Sequence, residues 1–147
     1  MYQRILVATD GSELSEKAVA SAIELAALMG AELVALRVVP RYPQSYFEGA
    51  LSLDSQDIAR VESQWHEEAQ AAVDAIKATA TTQGVVAQAI TSQADLVAES
   101  VIAAAKKYDC DLIVMASHGR RGIKRVLLGS ETQHVLTHSH IPVLVLR

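Results

Sequence analysis

Two short stretches of this chain carry the residue types needed to hold an anion. In the first, Ala116-Ser117-His118-Gly119 is separated by nine residues from Gly129-Ser130. The apolar run Asp111 to Met115 leads into it, and a segment of helical pattern, Glu131 to His138, leads out. Strand, glycine-punctuated basic loop and helix N-terminus form a phosphate-binding arrangement. Glycines let a ligand approach the main chain, and the first N–H groups of a helix point unpaired at negative charge. The spacing therefore predicts a loop that holds the phosphates of a nucleotide. Arg120, Arg121, Lys124 and Arg125 put four cations in six residues of that loop. They either neutralise phosphate oxygens or form a solvated basic surface. His118 is either a contact or a turn residue. Ser130-Glu131-Thr132-Gln133 reads as a capping box with Ser130 at the N-cap, and a capping hydroxyl can also meet a phosphate.

The second stretch is Thr9-Asp10-Gly11-Ser12, at the end of the apolar run Ile5 to Ala8. The Asp10 carboxylate can accept hydrogen bonds from ribose hydroxyls, or it can close an Asx turn that supports Ser12. Gly11 is a turn residue, and Ser12 suits the N-cap of the following helix. Other chemistries fit poorly. Ser12, His118 and Asp10 do not make a hydrolytic triad, because no nucleophile elbow surrounds Ser12. His134 and His138 have the i, i+4 spacing of zinc ligands, but the glutamate of HExxH is absent, residue 135 being valine. His138 also suits a helix C-terminus electrostatically. Neither GxxxxGK[ST] nor GxGxxG occurs.

The elements that must position these residues alternate along the chain. Strands are expected at Ile5–Ala8, Leu33–Val39, Val85–Ile90, Asp111–Met115 and Ile141–Leu146. Helices are expected from Ser12 to Gly30, from about Asp54 to Thr82, after a capping box at Ser92-Gln93-Ala94-Asp95, and over the last segment before His138. A long connection without periodicity covers 40–53. Continuous apolar strands alternating with helices imply a parallel sheet covered on both faces, with right-handed crossovers. In a five-stranded open sheet of order 3-2-1-4-5, the switch point lies between strands one and four, and ligands bind beyond the C-terminal ends of the strands there. Those two ends are the two stretches described above.

Composition narrows the classes further. The chain has 147 residues, half of them apolar and few aromatic, with a formal net charge of −4. That length makes one domain, which buries roughly 70% of the surface its unfolded chain would expose. Net negative charge opposes nucleic acid and anionic membrane as partners. The one cysteine, Cys110, excludes an internal disulfide and suits a reducing compartment. No run reaches membrane-spanning length, and the opening Met1-Tyr2-Gln3-Arg4 lacks a signal-peptide pattern. A cytoplasmic location is expected.

These motifs resemble the universal stress protein family, and within it the ATP-binding branch. The family pattern is Gly-x-x-Gly, nine residues, then Gly-(Ser/Thr). Here Ala116 stands for its first glycine, followed by Gly119, Gly129 and Ser130. Ile5 to Ser12 and Pro142-Val143-Leu144-Val145 also match, so the resemblance covers the whole chain. It implies a Rossmann-like single domain in which Asp10 contacts the ribose and Val38 holds adenine through its backbone. Gly119, Gly129 and Ser130 would contact phosphates, with main-chain help from Glu131. Mg²⁺ or Mn²⁺ would be carried mainly by the phosphates. The resemblance further implies a homodimer through the last strand, and regulation by nucleotide-dependent protein contacts. A slow ATP hydrolase and a nucleotide-free dimeric scaffold are the alternatives. Hydrolysis requires a residue that positions water, and the sequence singles out none. Val143 to Leu146, as an apolar edge strand, calls for a cover that a second copy would supply.

Overall fold

The structure, a computed structural model, describes residues 1–43, 54–119 and 128–147. Nine elements follow one another: β1 (Arg4–Ala8), α1 (Glu13–Met29), β2 (Glu32–Val39), α2 (Ser55–Thr82), β3 (Ala87–Gln93), α3 (Val97–Lys107), β4 (Leu112–Ala116), α4 (Ser130–His138) and β5 (Val143–Leu146). All four strand pairings are parallel, and the order is β3-β2-β1-β4-β5. The expected 3-2-1-4-5 sheet is therefore the observed one.

The continuous apolar strands are explained by burial on both faces. Ile5 and Val7 point into one core with Ala18, Ala22, Ile23 and Ala26 of α1 and Val73 and Ala80 of α2. Leu6, between them, points into the other core with Val101 and Ala105 of α3, Ile113 of β4 and Val135 of α4. Each such Ile, Leu or Val stabilises the fold by roughly 1.5–3 kcal/mol relative to leaving it exposed. The small residues on α1 let that helix lie close to the sheet.

Local signals set the ends of α1. Ser12 Oγ accepts from Ser15 N at 3.2 Å, as an N-cap should. Gly30 closes the helix in the left-handed conformation, φ 65°.

Two expected capping boxes do not form. β3 begins at Ala87 rather than Val85 and continues to Gln93, because β2 pairs with it as far as Val39↔Gln93. Ser92 is thereby a strand residue, and its hydroxyl accepts from Ser100 Oγ at 2.8 Å. Asp95 pairs with Arg41 at 3.7 Å instead of reaching back to a cap. The N-cap of α3 is Leu96, which offers no side-chain acceptor. In α4 the N-cap is Gly129, which moves Ser130 inside the helix.

Cys110 is buried, and desolvation pushes its thiol up to about 11, leaving an inert structural side chain. Among the described residues, no helix is long and apolar enough to cross a membrane.

Candidate functional site

The crevice lies beyond the C-terminal ends of β1 and β4, and both exits are tightly built. At the β1 exit, Thr9 N–H donates to Leu36 O at 3.0 Å, continuing the β2 pairing. Thr9 Oγ1 lies 3.0 Å from Ser15 Oγ and accepts from Gly11 N at 3.1 Å. Gly11 has φ 79°, a conformation that only glycine adopts without strain. Asp10 Oδ1 accepts from Ser12 N at 2.9 Å, so the Asx turn is present. The other oxygen, Oδ2, lies against Gly119 so closely that a Cβ at residue 119 would overlap it. The carboxylate of one strand exit thus touches the main chain of the other.

At the β4 exit, Ala116 ends the strand at 8% exposure, and its carbonyl accepts from Thr132 Oγ1 at 2.9 Å. Ser117 N–H donates to Leu146 O, and Ser117 O accepts from Gly129 N, both at 2.7 Å. His118 is half-buried, with Nδ1 3.1 Å from Ser117 Oγ. A Cβ at Gly129 would meet His118 Cα and Ser117 O at 3.3 Å, tighter than ordinary contact. Glycine at 129 is therefore a matter of close approach: its φ of −68° is open to any residue.

The first intrahelical bond of α4 runs from Gln133 N to Gly129 O at 3.0 Å. The amides of Ser130, Glu131 and Thr132 precede it, and no described residue accepts from them. These orphan donors carry the positive end of the helix dipole. One rim of the crevice is therefore an acceptor, Asp10, and the other is a set of N–H donors. Such a pair suits a ligand that has both hydroxyls and anionic oxygens.

The expected site residues fall into three groups. Asp10, Ala116, His118, Gly119, Gly129, Ser130 and Glu131 come together around the two exits. Val38 stands one residue before the end of β2, half-buried and aligned with Ser92, on the side of β1 away from β4. Arg120 lies outside the described residues, as do Arg121, Lys124 and Arg125.

The side chain of Glu131 does something the sequence did not suggest. Its Oε2 accepts from Ala98 N at 2.7 Å, capping α3 from α4. The available signal was negative: Leu96 cannot cap its own helix.

The chain leaving β2 is also anchored. Glu62 of α2 accepts from Tyr42 N at 3.0 Å and from Gln93 Nε2 at 2.8 Å, and Tyr42 stacks on Trp65 with centroids 6.1 Å apart. The Tyr42 amide first, then Gln93, holds the Glu62 carboxyl below its ordinary value of 4.5. A depressed carboxyl stabilises the anchored form above that ordinary value and loses its contribution as pH falls through the depressed one. Trp65 is the sole tryptophan, so its fluorescence should report Tyr42 leaving in acid. Glu62→Ala should give the acid-like signal already at neutral pH. An acid transition unchanged in that variant would show that Glu62 is not the anchor.

His134 and His138 stack with centroids 4.2 Å apart, and His138 Nδ1 turns back to 3.0 Å from His134 O. Among the described residues, no three His, Cys, Asp or Glu side chains gather where they could hold a metal ion.

An open parallel sheet with an acceptor and a helix N-terminus facing each other at its switch point defines a doubly wound α/β domain that takes ligands at the strand ends. The model of the universal stress protein family matches residues 1–147, and the chain belongs to that family. Universal stress protein MJ0531 of Methanocaldococcus jannaschii is 34% identical over 148 residues, spanning all of this chain and 83% of the relative. The structure of the universal stress protein UspA from Lactobacillus plantarum superposes with a TM-score of 0.85 at 26% identity, over 99% of this chain and 98% of the other. A universal stress protein from Archaeoglobus fulgidus, solved in complex with dAMP, shares the fold at a TM-score of 0.65 and 18% identity, over 99% and 98% of the two chains.

Proposed function

We propose that this protein binds ATP in the crevice between β1 and β4 and acts in stress response or signalling through protein contacts that depend on the nucleotide. The observation that carries this reading is the meeting of Asp10 with Gly119 opposite the orphan amides of α4. Asp10 would accept from the ribose. Adenine would lie toward the end of β2, against the backbone of Val38. The phosphates would lie on the main chain of Gly119, Gly129, Ser130 and Glu131, with the Ser130 hydroxyl as a further donor. Ala116, His118 and Arg120 would border them. A helix N-terminus favours an anion by about 0.3–1 kcal/mol, beyond the hydrogen bonds its amides make. Mg²⁺ or Mn²⁺ would ride on phosphate oxygens. That a protein of the same fold was solved with dAMP accords with an adenine nucleotide at this fold's strand ends.

The test is direct. Denatured protein should release ATP into the supernatant, seen by nucleotide chromatography. Gly129→Glu should release none, since its side chain would fill the gap at Ser117 O and bring a negative charge. If the wild type neither retains ATP nor binds it in titration, the reading fails. ADP production over time separates a holder from a slow hydrolase.

We also propose a homodimer in which β5 pairs with β5 of a second copy. β5 is an edge strand whose only neighbour in the sheet is β4, and an open apolar edge needs a partner.

A further inference from the structure

We propose that Glu131 is a positioning residue that locks the phosphate-facing turn of α4 to the start of α3, so that occupancy of the crevice and the order of α3 rise and fall together. This rests on the ATP reading above. The first turn of α4 is held at three described points. Gly129 N–H donates to Ser117 O at 2.7 Å, and Thr132 Oγ1 donates to Ala116 O at 2.9 Å. Both of these reach only the β4 exit. The third, Glu131 Oε2 accepting from Ala98 N at 2.7 Å, is the one that reaches another helix.

The bond matters equally to α3. That helix has Leu96 at its N-cap and no local side-chain cap. Ser92, which could have capped it, is held in β3, and Asp95 is turned to Arg41. A carboxylate meeting a helix N-terminal amide is a charge-assisted bond, shorter and stronger than a neutral one. One side chain therefore serves two helix N-termini. Its charge lies against the dipole of α3 while its backbone N–H remains among the orphan donors of α4.

Linkage makes the coupling reciprocal. Whatever fixes the first turn of α4 must protect the Ala98 amide, and whatever frees that amide must weaken ligand binding by the same factor. Three variants separate the causes. Glu131→Ala removes the acceptor. Glu131→Gln keeps an oxygen acceptor without the charge. Glu131→Asp keeps the charge but is one methylene too short to reach.

Amide hydrogen exchange at Ala98 and ATP titration with Mg²⁺ are measured on each, with the full chain. In Glu131→Ala and Glu131→Asp, exchange at Ala98 should rise about tenfold, the loss of one such bond, and ATP affinity should fall about three- to tenfold. Glu131→Gln should recover most of both. Saturating ATP should slow Ala98 exchange in the wild type and leave it unchanged in the Asp variant. Wild-type affinity and ATP-dependent protection in both Ala and Asp variants would overturn the proposal. So would a Gln variant as weak as Ala, which would assign the effect to charge alone. Where Ala does not fold, Asp and Gln decide. A wild type that binds no ATP at all removes the ATP reading itself and the inference with it. A wild type that binds while the variants match it removes only the role of Glu131.

Discussion

Gly119→Val should fold and lose ATP. The valine Cβ would occupy the position of Asp10 Oδ2, so the carboxylate must swing away or the β4 exit must move. Either change dismantles the acceptor rim, because Asp10 is also bonded to Ser12 N at 2.9 Å. The loss of one or two hydrogen bonds to a charged group, about 1.5–3 kcal/mol each, weakens binding on the order of 100-fold or more. Residue 119 is exposed, so the thermal midpoint of the free protein should shift little. Calorimetric titration checks the first statement and a thermal melt the second. Asp10→Ala removes the clashing group, and its combination with Gly119→Val should cost less than the sum of the two single changes, as residues in contact do. Affinity within threefold of wild type in Gly119→Val would contradict the placement of the ribose at Asp10.

Leu144→Glu should convert the proposed dimer to a monomer. Leu144 is 40% exposed on β5, a large apolar side chain on the edge strand of the sheet. Pairing two copies along this edge would bury it, and an unpaired carboxylate in its place costs several kcal/mol. Dimer dissociation should weaken by more than about 100-fold, enough to show monomer in sedimentation at micromolar concentration. The fold should persist, because the edge position leaves β4 and its pairing partner β1 untouched. A dimer of unchanged strength would place the contact elsewhere.

The architecture was legible because its signals are local and redundant. Ile5 to Ala8 and Leu112 to Ala116 are continuous apolar runs, and Ser12 and Gly30 mark the ends of α1 through their own side-chain and backbone chemistry. The two strand exits could be matched because an open sheet has one switch point. The misreadings share a cause. Ser92 and Ser130 each stand in a valid capping-box pattern, but pairing between β2 and β3 extends far enough to take Ser92 into the sheet. Gly129, fastened to Ser117 O, moves the start of α4 one residue earlier. Both outcomes depend on partners distant in sequence. The Glu131–Ala98 bond lies further still from local pattern, since nothing near either residue announces the other. The touch between Asp10 and Gly119 is of the same kind: each glycine and acid is visible alone, and only the fold brings them into contact.

The place of β1 in the sheet has a consequence for synthesis. It leaves the ribosome first, yet it ends as the central strand, between an early neighbour, β2, and a late one, β4. Until β4 has emerged, one side of Ile5–Ala8 is an open apolar edge, the form of backbone that templates pairing with other chains. A chain stalled before Leu112 should therefore be prone to aggregate. It also has no crevice, because one of the crevice's two rims has not yet been made. A ligand bound at these strand ends meets only finished molecules: it cannot guide the nascent chain, and its stabilising effect falls entirely on the lifetime of the completed protein.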